Sequence, residues 1–282
     1  MTITAFNLLK KMGLSHHGAV ELLPKVKAQS FDADTVIQDG HLKSWIFIID
    51  GLVGARSAGC GDMLPVSVYG CGAWFGQTNL FDDNALTFEY LCLTTTRTFA
   101  IPLQDIRNAF EREDGFSRYL VRLFSDRAQR HAETLHLMRD GGPCLRIVMG
   151  LAVVAEAIRA PGSRTLKTTH CVKGDDSLII PVKQALLASM CGVSRGVFST
   201  CLQQLAAANW VSMSYSSLVV LRITTWMRFY SSCRRMPLEA TKLDMVAILG
   251  LMQESALADA ADCNQCEEKN SKDCTRQDKQ AH

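Results

Sequence analysis

The sequence predicts an α+β protein in which a small antiparallel β-barrel or sandwich precedes a long helix and a winged helix-turn-helix. Residues 31–102 hold short apolar runs separated by Asp-Gly and other glycine-containing turns, which is typical of antiparallel strands. Residues 106–139 form one long stretch with helical periodicity. Residues 181–211 form two short amphipathic helices around the turn Cys191-Gly192-Val193.

Composition sets the broad class of the protein. With 282 residues, 48% hydrophobic and 21% charged, the chain is long enough for about two domains with sizeable cores. The net charge of +2 neither favours nor excludes a polyanionic partner. Lys10 and Lys11 follow the first apolar stretch instead of preceding it, and the later apolar run Ile147–Ala155 is too short to span a bilayer. We therefore expect a cytoplasmic protein with no membrane partner.

The eleven cysteines are too sparse for a disulfide scaffold, and in a reducing cytoplasm most should be thiols. Those in apolar surroundings are most simply small core residues: Cys60, Cys71, Cys92, Cys144, Cys191 and Cys201.

Changes in residue pattern divide the chain into five regions. They are a helical leader (1–30), the β-barrel as effector or sensor domain (31–105), a dimerisation helix (106–140), a winged helix-turn-helix domain (141–225) and a C-terminal helical extension with a cysteine-containing tail (226–282). The expected buried residues of the leader are Phe6, Leu9, Leu22 and Leu23. The expected strands around the helix-turn-helix are Thr165–Val172, Leu178–Ile180 and a hairpin from Val211 to Ile223, which make it a winged one. Residues 241–257 predict one more amphipathic helix, of unknown contact.

The long helix is expected to pair with a copy of itself. Its apolar seam is interrupted by Arg127 and His131, and a seam that the chain's own domain does not use up usually packs against a second copy. The seam consists of Leu120, Leu123, Phe124, Leu135 and Met138. The segment Asp140–Pro143 breaks the helix and is the expected hinge.

The helix-turn-helix pattern suggests a DNA interface. Gly192 suits the positive φ that ends the first helix, and Ser194 is placed to cap the second. Such a motif usually lays its second helix in the major groove, where Arg195 could donate two hydrogen bonds to guanine. The candidate DNA contacts are Ser194, Arg195, Ser199, Thr200, Gln203 and Lys183. The motif by itself is equally consistent with a plain helical hairpin of an enzyme.

Four segments, in this order, resemble one family. Phe31–Gly40 is similar to the opening motif of its barrel, Ile46–Gly51 (IFIIDG) to a strand and turn, Gly72–Leu80 (GAWFGQTNL) to its phosphate cassette, and Gly192–Leu205 to its recognition helix. The family is the superfamily of the cyclic-AMP receptor protein and the fumarate–nitrate reduction regulator (CRP/FNR). The resemblance covers residues 31–223. It implies a cyclic-nucleotide-binding-type barrel (a double-stranded β-helix), a dimerisation helix, a hinge and a winged helix-turn-helix.

The barrel departs from the nucleotide-binding members of that family. The place of the ribose-binding glutamate is Gln77, and the place of the phosphate-binding arginine is Leu86 or a close neighbour. No arginine lies between Arg56 and Arg97, and an anion bound without a cation is costly, although backbone amides near Gly76 could help. The resemblance therefore implies a degenerate effector pocket at Gly76, Gln77 and Leu86, and we expect no tight binding of cyclic AMP.

The recognition helix departs as well. Gly196 and Thr200 stand where the family commonly has an acidic residue and a second arginine, and Val182 stands where it favours a capping threonine. Residues 181–210 contain two basic residues and no acidic ones. Phosphate contacts would have to come partly from Lys167, Lys173, Arg222, Arg228, Arg234 and Arg235. We expect a DNA target that differs from the family's usual half-sites.

The tail carries Cys263, Cys266 and Cys274, with His282 at the end of the chain. A disordered extension with incidental thiols, a zinc site, an iron–sulfur cluster and a thiol redox switch all fit this Cys-x2-Cys-x7-Cys spacing. The family includes oxygen sensors with such clusters.

The resemblance implies a homodimeric transcriptional regulator that binds an inverted repeat in double-stranded DNA and contacts RNA polymerase. Its signal would be something other than cyclic AMP, such as redox state or oxygen sensed through the tail cysteines. No His-Glu-x-x-His motif, Gly-x-Ser-x-Gly elbow or glycine-rich nucleotide loop is present, so an enzyme is not expected. The alternative is a degenerate member that acts as a protein-interaction or metal- and redox-sensing module without specific DNA binding.

Overall fold

The computed structural model describes residues 4–38, 43–57, 67–76, 80–81, 88–159, 176–213, 217–234 and 243–257. The helices are α1 (Ala5–Lys11), α2 (His16–Leu22), α3 (Leu103–Arg112), α4 (Asp114–Asp140), α5 (Pro143–Arg159), α6 (Gln184–Met190), α7 (Arg195–Ala207), α8 (Ile223–Cys233) and α9 (Met245–Leu257). The strands are β1 (Lys27–Phe31), β2 (Val36–Gln38), β3 (Ser44–Asp50), β4 (Val53–Ser57), β5 (Ser67–Tyr69), β6 (Trp74–Phe75), β7 (Phe88–Cys92), β8 (Thr96–Pro102), β9 (Ser177–Ile180), β10 (Val211–Met213) and β11 (Leu218–Leu221).

Strands β1–β8 form two antiparallel four-stranded sheets. Their orders are β1-β8-β3-β6 and β2-β7-β4-β5. Ile46 and Ile48 of the first sheet and Tyr90 of the second belong to one buried cluster, so inward-facing side chains of both sheets share a core. In the described residues no strand pair joins the two sheets, and we call this unit the sandwich. The predicted α+β fold class is confirmed.

The leader packs on the outer side of the first sheet. Leu9 and Met12 of α1 are buried there with Trp45 and Trp74, whose rings stack 3.9 Å apart. These contacts explain the apolar pattern of the leader, although Leu23 is exposed and Phe6 is only partly buried. The leader therefore extends the core of the sandwich instead of standing apart from it.

The long helix is broken, contrary to the prediction of one stretch over 106–139. Glu113 separates α3 from α4 with an extended backbone, φ −121° and ψ 93°. Its carboxylate accepts hydrogen bonds from the backbone N–H (3.0 Å) and hydroxyl (2.7 Å) of Ser15, and these bonds lower the pKa of Glu113. At the break, Glu113 contacts a residue 98 positions away, and helical periodicity does not report such a contact.

The apolar seam of α4 is only partly available to a second copy. Leu120 is buried against the sandwich, and Leu123 and Phe124 are packed beside it. Leu135 is 69% exposed, as is Val121 at 62%. The exposed stripe of α4 therefore shares Leu135 with the predicted seam but not Leu120, which is buried, nor Leu123 and Phe124, which are partly buried.

Helices α5–α9 and strands β9–β11 form a C-terminal unit around the apolar helix α5. Its sheet has the order β10-β11-β9, and the indole of Trp226 donates to the carbonyl of Val148 at 3.1 Å. Helix α9 closes this core with Met245, Ile248 and Met252, which settles the contact of the extra helix predicted at 241–257. The strand predicted at 165–172 lies outside the described residues.

No single helix in the described part of the chain is both long enough and apolar enough to cross a membrane. The pair α6–α7, bent by 102°, reaches that length and composition only when taken together.

The C-terminal unit is docked on the sandwich. Leu52 at the turn after β3 is buried in the core of the C-terminal unit, and Val68 and Leu93 pack against it. Gly70 permits this close approach, because a methyl group on it would lie 1.9 Å from the carbonyl oxygen of Ala157 in α5. A single glycine therefore sets the distance between two units of the molecule.

Gly70→Ala is expected to destabilise the protein by about 1–3 kcal/mol, because the added methyl group must push α5 away from the sandwich. Chemical denaturation followed by circular dichroism measures the loss. The control is Gly250→Ala, where, apart from the adjacent residues and backbone of α9 itself, no described residue has an atom within 4 Å of the new methyl group. That change lies within α9 and should stabilise the protein by about 0.5–1 kcal/mol. Equal stability of the Gly70→Ala variant and the wild type would contradict the close docking.

Candidate nucleic-acid interface

The turn between α6 and α7 has the geometry that the sequence predicts. Gly192 adopts φ +61°, its N–H donates to the carbonyl of Ser189 at 2.8 Å, and the N–H of Val193 donates to the carbonyl of Ala188 at 3.1 Å. These bonds close the end of α6 in the way that left-handed C-terminal caps do. The helices diverge by 102°, within the range of helix-turn-helix motifs.

Helix α7 begins directly after Ser194, the residue that the sequence predicts as its cap. The hydroxyl of Ser194 accepts a hydrogen bond from the N–H of Val197 at 3.3 Å. The inner face of α7 is buried in the C-terminal unit through Phe198, Cys201, Leu202 and Leu205. The opposite face is exposed and carries Arg195, Ser199 and Gln203, spaced four residues apart. The packing of α7 therefore turns one polar row away from the core.

Helix α4 brings a cation to the predicted effector end of the sandwich. Arg127 donates through Nη2 to the carbonyl of Trp74, and its guanidinium lies 5.5 Å from the ring centre of Tyr69. Its Nη1 is buried with no hydrogen-bond partner among the described residues, and burial lowers the pKa of Arg127. Gly76 lies two residues after Trp74 at φ +80° and donates its N–H to the hydroxyl of Tyr90 at 3.3 Å.

Solved structures share this arrangement of sandwich, long helix and helix-turn-helix. A transcriptional regulator of the crp/fnr family from Eubacterium rectale matches with a TM-score of 0.57 and 12% identity, over 80% of this chain and 100% of that one. FixK2 from Bradyrhizobium japonicum matches with a TM-score of 0.57 and 15% identity, over 78% and 98%. The c-di-GMP responsive global regulator CLP from Xanthomonas campestris matches with a TM-score of 0.53 and 16% identity, over 73% and 99%.

The chain has the fold of the CRP/FNR regulators. No protein-family model matches the sequence, and no curated protein matches it either. At 12–17% identity the likeness shows the fold alone.

Two of the hydroxyl groups that the sequence predicts to contact DNA form hydrogen bonds within the chain. The hydroxyl of Thr200 donates to the carbonyl of Gly196 at 3.1 Å, so it can only accept a further hydrogen bond in this rotamer. Ser194 serves as the helix cap. Arg195, Ser199 and Gln203 are thus the predicted residues that the structure brings together on one exposed face.

Lys183 lies apart from the exposed row of α7. Its ammonium group pairs with the carboxylate of Asp34 in the sandwich at 3.2 Å, and both side chains are largely exposed. An exposed pair of this kind contributes little to stability. In this conformation, however, the candidate DNA contact is held by the sandwich.

Sequence reasoning missed Arg146 and the reach of Arg127. Arg146 in α5 donates through Nη1 to the carbonyl of Gly192 at 3.0 Å, and so it holds the turn of the helix-turn-helix in place. The signal in both cases is a charged residue within an apolar stripe, since Arg146 interrupts the apolar α5 and Arg127 interrupts the seam of α4. The sequence shows that no arginine lies between Arg56 and Arg97, but not that helix α4 supplies one.

The other predicted basic residues have varied positions. Arg222 adopts φ +51° ahead of α8, with its guanidinium 5.2 Å from the ring centre of Trp210. Arg234 pairs with Glu133 of α4. Arg228 is exposed on α8. The remaining candidates, Lys167, Lys173 and Arg235, lie outside the described residues.

Several predicted site residues are also outside the described part. Gln77 and Leu86 of the effector pocket are among them, and so are the candidate metal ligands Cys263, Cys266 and Cys274. Within the described ranges, no group of three or more His, Cys, Asp or Glu side chains is arranged to hold a metal ion. The zinc and iron–sulfur hypotheses concern the tail and stay predictions.

Proposed function

We propose that this protein is a homodimeric transcriptional regulator that reads an inverted repeat in DNA with helix α7. The observation that carries the proposal is the exposed row Arg195, Ser199 and Gln203 on a capped helix whose other face is buried. Guanidinium, hydroxyl and amide groups are the side chains that hydrogen-bond to base edges in the major groove. Because Arg195 is the row's single cation, contacts with the DNA phosphates are expected to come from other parts of the chain.

Dimerisation is supported by a second stripe on α4. Val121, Ser125, Ala128, Ala132 and Leu135 are all exposed and follow one another at spacings of four and three residues. This is the spacing of a coiled-coil seam, and its small central residues allow two helices to approach closely. Two-fold symmetry would place the two α7 helices about one DNA turn apart. We expect such a protein to work in the cytoplasm, to have no catalytic activity and to reach RNA polymerase through other surfaces.

Arg195→Ala is expected to cost about 1–3 kcal/mol of specific DNA binding and to relax selectivity at one guanine of each half-site. The measurement is selection of a target from random duplexes, followed by titration of the wild type and the variant at one fixed salt concentration. Arg112→Ala is the matched control, because Arg112 is an exposed arginine of α3 remote in sequence from α7.

An unchanged motif and affinity for Arg195→Ala would show that α7 is not the reading helix. Failure of the wild type to retain any duplex, in selection or in crosslinking to genomic DNA, would favour the alternative of a protein-interaction module.

Ala128→Lys is expected to convert the dimer into a monomer, because two like charges would face each other in the centre of the seam. Sedimentation velocity measures the change. Gln129→Lys is the control, since the neighbouring position points about 100° away around the helix and already carries a polar side chain. Retention of the dimer by Ala128→Lys would show that the stripe is not the dimer contact.

We propose further that the effector of the sandwich carries an oxyanion that binds Arg127. The guanidinium of Arg127 is buried, its Nη1 has no partner among the described residues, and no described carboxylate contacts it. Burying such a charge costs free energy, and a bound oxyanion would remove that cost. Arginine favours the planar oxygen pairs of phosphate and carboxylate groups. The ribose-binding glutamate is still replaced by Gln77, so weak binding of cyclic AMP remains our expectation.

In a thermal-shift titration, inorganic phosphate should raise the unfolding midpoint of the wild type and leave that of Arg127→Gln unchanged, because ligands stabilise only the state that binds them. Arg130→Gln, on the exposed part of the same helix, should respond like the wild type. Equal shifts in all three proteins would contradict the role of Arg127. Calorimetry with cyclic AMP tests the expectation that this nucleotide binds weakly. Micromolar binding that is lost when Gln77 is changed would overturn it.

A further inference from the structure

Two cysteine thiols meet behind the reading helix. The Sγ atoms of Cys144 and Cys201 lie 3.5 Å apart, although the residues are 57 positions apart in the chain. Cys144 is the second residue of α5, directly after the Gly141-Gly142-Pro143 break, and Cys201 lies on the inner face of α7. The sequence suggests only that both are small core residues, because their separation hides the contact.

The distance is short enough for a disulfide after a small movement. A disulfide has an S–S length of about 2.05 Å, so the two sulfur atoms must approach by about 1.5 Å. The start of α5 follows two glycines, whose backbones adapt most easily to such a shift. Closing the bond would draw the middle of α7 inward, which is away from the side on which Arg195 and Gln203 are exposed.

The two thiols differ in access. Cys144 is partly exposed, whereas Cys201 is 4% exposed. Burial and the neighbouring Cys144 raise the pKa of Cys201 to about 12. Because Cys144 is the more exposed of the two, it is the thiol that an oxidant reaches first, and Cys201 is its partner in the bond.

We propose that Cys144 and Cys201 form a reversible disulfide in response to a peroxide, and that this disulfide weakens DNA binding by α7. The regulatory part rests on the DNA-binding function proposed above, whereas formation of the disulfide does not. It is independent of the tail cysteines and of Arg127.

The chemistry balances with one peroxide and two thiols. The sulfur of Cys144 attacks one oxygen of hydrogen peroxide, the O–O bond breaks, and Cys144 becomes a sulfenic acid while the released hydroxide takes the thiol proton to form water. The sulfur of Cys201 then attacks the sulfur of Cys144, the S–O bond breaks, and the leaving hydroxide takes the proton of Cys201 as a second water. A dithiol reductant reverses the change by thiol–disulfide exchange.

To test the proposal, the full-length protein is treated with hydrogen peroxide and its remaining thiols are alkylated. Its tryptic peptides are then mapped by mass spectrometry. Cys144 and Cys201 fall in separate peptides, Asp140–Arg146 and Gly196–Arg222, so the bond appears as one cross-linked species. DNA affinity is then measured before oxidation, after it, and after dithiothreitol. We expect the cross-linked peptide and a reversible loss of affinity of about tenfold or more.

Cys144→Ser should bind DNA like the reduced wild type and resist peroxide, and it tolerates a polar atom because Cys144 is partly exposed. Cys233→Ser is the matched control, a half-buried cysteine of the same unit, and should respond like the wild type. The proposal is overturned if both thiols stay open to alkylation after peroxide treatment, or if the disulfide forms without change in affinity. If the reduced wild type does not bind DNA, the proposed function is overturned instead. The peptide map shows separately whether the disulfide forms.

Discussion

Helix α4 is the element on which the rest of the structure depends, because residues along it contact the leader, the sandwich and the C-terminal unit. Phe116 and Leu120 are buried with the leader and the first sheet. Leu137, near its other end, packs against the core of the C-terminal unit. Arg127 reaches the end of β6, and the stripe through Ala128 is left exposed. A rigid rod of 27 residues therefore links every unit to every other.

This linkage gives a physical route from the sandwich to α7. An oxyanion at Arg127 would act on the same helix that carries the proposed dimer seam, and Glu133 of that helix pairs with Arg234 after α8. The sandwich also touches the C-terminal unit directly, through Gly70 on Ala157 and Asp34 on Lys183. A ligand or an oxidant shifts the orientation of α7 only as far as it favours one set of these contacts over another.

The C-terminal unit holds α7 from behind. Arg146 donates to the turn, the inner face of α7 is buried, and α9 contributes side chains to the same core. A rigid support of this kind positions side chains better than a loop does. The contact of Cys144 with Cys201 lies within this support, so a change of one bond there would move the whole helix.

The helix caps and turns of the fold could be predicted from the sequence because they depend on residues close together in the chain. The positive φ of Gly192, the cap by Ser194 and most of the buried stripe of α7 follow from residues within one or two helical turns, although Val197 of the expected stripe is 40% exposed. The order of strands, long helix and helix-turn-helix gave the fold class for the same reason. The break at Glu113, by contrast, lies beside a contact with the distant Ser15, and only packing shows that Leu120 of the predicted seam is buried.

The sequence by itself therefore determined the fold class, the turn and cap of the helix-turn-helix, and a set of candidate polar contacts on α7 that includes Arg195, Ser199 and Gln203. Only the tertiary structure decided which charge enters the sandwich, which stripe of α4 is exposed and which thiols meet. Secondary structure and capping follow short-range periodicity and backbone preference. The contacts of Arg127 with Trp74 and of Cys144 with Cys201 join residues 53 and 57 positions apart, a separation at which no periodicity in the sequence reports proximity.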